Sequence, residues 1–86
     1  MHEMAWAAHV VRQATAIARE QGAGRVVGVT VRFGPHAGLS LERVRAHFAI
    51  ASRGTIAEGA QLRVREPGPG QSIDHETVLE SIEVES

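Results

Sequence analysis

The sequence predicts a two-layer α+β domain in which two helices pack on one face of a three-stranded mixed β-sheet, in the order αβαββ. Two observations predict it. The hydrophobic period changes from about 3.6 residues to 2 and back as the chain is followed, and each of three alternating runs carries one apolar and one polar face.

Taken in order, Trp6, Ala7, Val10, Ala14, Ile17 and Ala18 recur at helical spacing with Arg12, Gln13, Arg19 and Glu20 off the stripe, and Gly22 is placed to end the helix. "RVVGVTVRF" then alternates, with Val27, Val29, Val31 and Phe33 expected inward and Gly28, Thr30 and Arg32 outward. "GPHAG" is a loop. After it Ser40 can cap a second helix that turns Leu41, Val44, Phe48 and Ala51 inward, with His47 at the stripe's edge, and that closes near Gly54. "TIAE" has the capping-box pattern from Thr55 to Glu58 for one further turn.

"AQLRVRE" offers Ala60, Leu62 and Val64 to one face, and "VLESIEVE" offers Ile82 and Val84. Were these two strands paired antiparallel, Arg63 and Arg65 would share the solvent face with Glu83 and Glu85. Residues 67–77 between them form a Pro/Gly-rich linker too long for a tight hairpin turn.

Composition narrows the function classes. At 86 residues, 43% hydrophobic and 22% charged, the chain has room for one small core, residues 1–86 forming a single domain. Nine basic against ten acidic residues provide no cationic surface for a phosphate backbone, so no nucleic-acid partner is expected. No apolar run approaches the ~20 residues of a membrane span, and the expected location is the cytoplasm. With no cysteine there is no disulfide framework, thiolate nucleophile or sulfur-ligated zinc, and any metal must be held by nitrogen and oxygen. No phosphate loop or nucleophile motif points to an enzyme.

The first three residues, Met1-His2-Glu3, suggest metal chemistry. A free Met1 amine, a deprotonated His2 amide and the His2 imidazole can close chelate rings within one dipeptide, and nickel(II) accepts such square-planar nitrogen sets. Glu3 can complete the set through its carboxylate or amide. The same letters also read as a polar helix start with Glu3 at the positive end of the dipole. Helix one spans ~27 Å at 1.5 Å per residue and strand one ~30 Å at 3.3 Å per residue, so an antiparallel return brings the loop carrying His36 near His2. A second strand parallel to the first delivers Asp74, His75 and Glu76 to the same rim. His36 and His75 are therefore further candidate metal ligands, whereas His9 reads as a surface or partner-contact residue.

"MHE" ahead of an amphipathic helix, "RVVGVTVRFG", "RVRAHFAIASRGTIAEGAQLRV" and the closing "LESIEVE" together resemble the HypA/HybF family of nickel metallochaperones, which mature nickel-iron hydrogenases and, in some bacteria, urease. The resemblance implies a carrier of Ni(II) at Met1, His2 and Glu3 that passes the metal to a HypB-like GTPase or to the target nickel enzyme subunit. Family members insert a zinc domain with two CxxC pairs between the last two strands. Here "PGPGQSIDHET" stands in its place, so no zinc is expected. A metal-independent interaction module built on the same fold is the alternative, and a monomer or weak homodimer is expected in either case.

Overall fold

In the computed structural model, which describes residues 3–33, 41–65 and 77–86, the elements run α1 (Glu3–Glu20), β1 (Arg25–Phe33), α2 (Leu41–Ser52), β2 (Gln61–Arg65) and β3 (Thr77–Glu85). The sheet order is β2-β1-β3. β1 pairs in parallel with β2 and antiparallel with β3. The two-layer αβαββ architecture expected from the sequence is the one observed. The Ser40 cap, the "GPHAG" loop, the Phe33 side chain and most of the 67–77 linker lie outside the described residues, and β3 opens at Thr77 itself.

α1 forms because its apolar stripe is continuous. Trp6, Ala7, Val10, Val11, Ala14 and Ala18 are all buried, with Ile17 half-buried at the margin. It stops at a glycine turn: Gly22 takes φ +73°, the Ala23 amide donates to the Ala18 carbonyl at 2.9 Å and the Gly22 amide to the Arg19 carbonyl at 3.0 Å. That pair of bonds closes the last carbonyls of the helix, and the left-handed φ it needs is cheap only without a Cβ.

α2 buries Val44 and Phe48 against the same core. Leu41, expected inward, is 49% exposed. It sits at the very start of the helix, where its side chain falls short of the layer between helix and sheet. Beyond α2 the capping-box expectation is met in altered form. The Thr55 hydroxyl accepts from the Ala57 amide at 3.0 Å, and the Glu58 carboxylate accepts from the Gly54 amide at 2.9 Å, one residue earlier than the usual box. This turn is tied to the sheet where the Val26 amide donates to the Ile56 carbonyl at 2.9 Å, and it buries Ala57.

Two irregularities of register reset the alternation. Between Val26↔Val84 and Gly28↔Glu83 the strand β1 carries an extra residue, Val27, and between Thr30↔Ser81 and Val31↔Leu79 the strand β3 carries an extra residue, Glu80. A bulge moves every residue on its far side by one phase. Val26, Val29 and Val31 are therefore the fully buried valines of β1, and Val27, expected inward, is half-buried at the bulge. On β3 the half-buried residues are Leu79 and Ile82, while Val84 is 36% exposed, since it pairs with Val26 near the outer corner of an edge strand.

β2 and β3 do not pair, because β1 lies between them. Arg63 and Glu83 nevertheless form an ion pair that passes over Gly28, where an added Cβ would lie 2.9 Å from the Glu83 Oε1 and 3.1 Å from the Arg63 Nη1. Arg65 meets Glu80 rather than Glu85.

Candidate metal centre

The strand register assembles one rim of the molecule. Arg32 of β1 stands beside Arg65, the last residue of β2, and Phe33 beside Thr77, the first residue of β3. α1 ends four residues before β1 begins, at the other end of the sheet, where the Ser86 backbone approaches Gly24. An 18-residue helix returning alongside a nine-residue strand brings Glu3 back to the end where β1 finishes. Because β1 and β2 are parallel neighbours joined through α2, α2 too must open at this rim.

Both helices thus point their positive dipole ends at the rim, and each carries an acid in its first turn, Glu3 in α1 and Glu42 in α2. Segments 34–40 and 66–76, which carry His36 and His75, leave the sheet from this same edge.

Met1, His2, His36, Asp74, His75 and Glu76 lie outside the described residues, and of Glu3 only the backbone is described, as the first residue of α1. Among the described residues there is no group of three or more His, Asp or Glu side chains that could hold a metal ion. His9 is exposed on α1, as expected of a surface histidine. His47 is half-buried at the edge of the α2 stripe, with its Nδ1 buried and without a hydrogen-bond partner. No helix among the described residues is long and apolar enough to cross a membrane.

One residue of the rim escaped the sequence reading. The Glu80 carboxylate receives Arg32 on Oε2 and Arg65 on Oε1, the latter at 2.7 Å, so it joins all three strands where they meet the rim. A signal for it exists in the sequence: Glu80 stands two residues before Ile82, in the apolar phase of β3, and a charge in a core phase marks a bulge.

Two helix starts, two strand ends and a strand start thus open onto one edge of this two-layer α+β fold. The family model described as hydrogenase/urease nickel incorporation, metallochaperone, HypA matches residues 1–71. The hydrogenase maturation factor HypA of Chlorobaculum tepidum is 43% identical over 67 residues, covering 78% of this chain and 59% of the relative. That of Archaeoglobus fulgidus is 41% identical over 64 residues, covering 74% and 58%. The solution structure of the Ni metallochaperone HypA from Helicobacter pylori superposes with a TM-score of 0.80 over 100% of this chain and 99% of that one, at 15% identity, a likeness of fold alone. The chain belongs to the HypA family. It spans under three fifths of the length of these two curated relatives.

Proposed function

We propose that the chain carries Ni(II) as cargo during maturation of a nickel enzyme, a hydrogenase by the names of its relatives and a nickel-iron one by the family resemblance, and that it does so in the cytoplasm as a carrier rather than an enzyme. The observation that carries this reading is that the family match begins at residue 1 and so includes Met1-His2-Glu3. The donors are the Met1 amine, the His2 amide nitrogen and imidazole, and Glu3, with His36 and His75 as ligands that the rim can add. A HypB-like GTPase and the target enzyme subunit are the proposed recipients.

Local physics supports the donor set. The first four amides of a helix have no intrahelical carbonyl to bond, so the Glu3 amide that opens α1 can give up its proton to join the set without costing a helical hydrogen bond. An anionic nitrogen there is also favoured by the dipole.

Titration with Ni(II) should produce the d-d absorption of a planar nitrogen set, and His2→Ala should abolish it. An uncleaved N-terminal extension should weaken binding, because it turns the amine into an amide. An unchanged band in His2→Ala would move the site elsewhere, and failure of the wild-type chain to bind nickel would leave the metal-independent interaction module as the reading.

A further inference from the structure

We infer that the outer edge of β2, with the crevice between it and α2, is a docking site for an extended acidic segment of a partner protein, and that Arg45 selects for the acid. The crevice opens where β2 begins, at the end of the sheet away from the metal rim, and the inference is independent of the nickel reading.

β2 is an edge strand of five residues. Its Leu62 carbonyl accepts from the Arg45 guanidinium of α2, so that carbonyl is not spent on the ladder with β1. The amide and carbonyl of one strand residue point to the same side, and the side alternates from residue to residue. Leu62 and Val64 therefore carry the outward backbone groups of this edge, a template for one more strand. Beside it lies a crevice of about 280 Å³ lined by Arg45, Phe48, Ala49, Ala60 and Leu62 among others. Alternate side chains of an added strand face opposite sides of the sheet. Those on the helix side meet the crevice, and those on the other side stand beside Arg63 and Arg65.

Charge decides the chemistry of the occupant. Two guanidinium groups border the crevice: Arg45 lines it, and the Arg25 Nη2 lies 3.5 Å from the Cβ position of Gly59, another lining residue. Each donates to a backbone carbonyl, Arg45 to Leu62 and Arg25 to Glu58, while the Glu58 carboxylate is turned to the Gly54 amide. Neither arginine forms an ion pair among the described residues, whereas Arg32, Arg63 and Arg65 all do. Positive charge is thus left uncompensated at the crevice, and a carboxylate is its complement. An incoming carboxylate pairs with Arg45 and releases the Leu62 carbonyl to accept an amide of the added strand. A neutral strand has to compete with the guanidinium for that carbonyl. A second copy of this chain is a poor occupant although its other edge, β3, is acidic: Glu83 and Glu80 are already paired with arginines of their own sheet, and the Glu80 bulge interrupts that edge.

The test uses the full chain without metal, followed by NMR at the Leu62 and Val64 amides and the Arg45 Nε, and two short acetylated peptides, one alternating valine with glutamate and one alternating valine with glutamine. In the wild type the glutamate peptide should shift all three resonances and bind about tenfold tighter than the glutamine peptide, in keeping with one hydrogen bond to a charged group. Arg45→Ala should erase that preference while both peptides still bind. Ala49→Leu, at an exposed position of α2 that tolerates a good helix former, should narrow the crevice and weaken both peptides. Shifts confined to β3, or none at all, would overturn the docking site. Equal affinity of the two peptides for the wild type, or a preference that survives in Arg45→Ala, would overturn the role of Arg45, and full affinity in Ala49→Leu would overturn that of the crevice. Self-association of the wild type through β2 in sedimentation velocity would overturn the assignment by making a second copy the occupant.

Discussion

Single positions differ in why they tolerate or resist change. At Gly22 an added Cβ meets nothing within 4 Å, yet φ is +73°, so Gly22→Ala meets conformational strain rather than a clash and should cost about 1 kcal/mol. At Gly28 the obstacle is the far ends of two flexible side chains. Gly28→Ala should displace the Arg63–Glu83 pair, and because that pair is about half exposed the loss should stay under about 1 kcal/mol, partly offset by the better strand propensity of alanine. Urea denaturation of both variants checks the order: a larger loss at Gly28 than at Gly22 would mean that the outer ion pair contributes more than its exposure allows. Thr30 is buried too, level with Arg63 of β2 and Ser81 of β3 in the central strand.

At the scale of elements, the five-residue strand β2 is an edge, and edges invite pairing with other chains. Here α2 guards it. The Arg45 guanidinium donates to the Leu62 carbonyl of β2, beside a crevice of about 280 Å³ lined by Phe48, Ala49, Ala60 and Leu62 among others. Arg45→Ala should lower stability by only about 1 kcal/mol while uncovering that carbonyl. The expected result is concentration-dependent self-association in sedimentation velocity, absent in the wild type. A variant that stays monomeric at all concentrations would show that the edge is protected by its shortness and not by Arg45.

For the whole molecule, the two ends of the sheet do different work. At the end away from the rim the chain is closed by its own hydrogen bonds: the Gly22 turn, the Val26–Ile56 backbone bond and the Arg25 guanidinium's bond to the Glu58 carbonyl at 3.2 Å all lie there. The continuous core of Trp6, Val10, Val29, Val31, Val44, Phe48 and Leu62 sits between the layers and includes no candidate metal ligand. Folding should therefore not require metal. Treatment with a chelator should leave the far-ultraviolet circular dichroism spectrum unchanged, and collapse of secondary structure would contradict this. The response to nickel is more discriminating. A chelate made by Met1 and His2 alone forms equally in the unfolded chain and should hardly move the melting temperature, whereas ligands that converge only in the fold should raise it. A rise that persists in His2→Ala would place the metal elsewhere on the rim.

By itself the sequence determined the elements and their order, since both are local: period and turn glycines are written in neighbouring letters. The parallel course of β2 also followed, from the length of the intervening helix. Tertiary structure alone decided which strand is central, and with it that Arg63 reaches Glu83 across Gly28 and that Arg65 finds Glu80 instead of Glu85. It also decided that Val26 and not Val27 enters the core. Two adjacent valines have identical local propensity, and a bulge becomes visible only when a neighbouring strand provides the register against which one residue is extra. The rim itself was legible from element lengths and the parallel course of β2, whereas the start of β3 beside Phe33 was not, for it depends on which strand is central, a property of pairings between residues far apart in the chain.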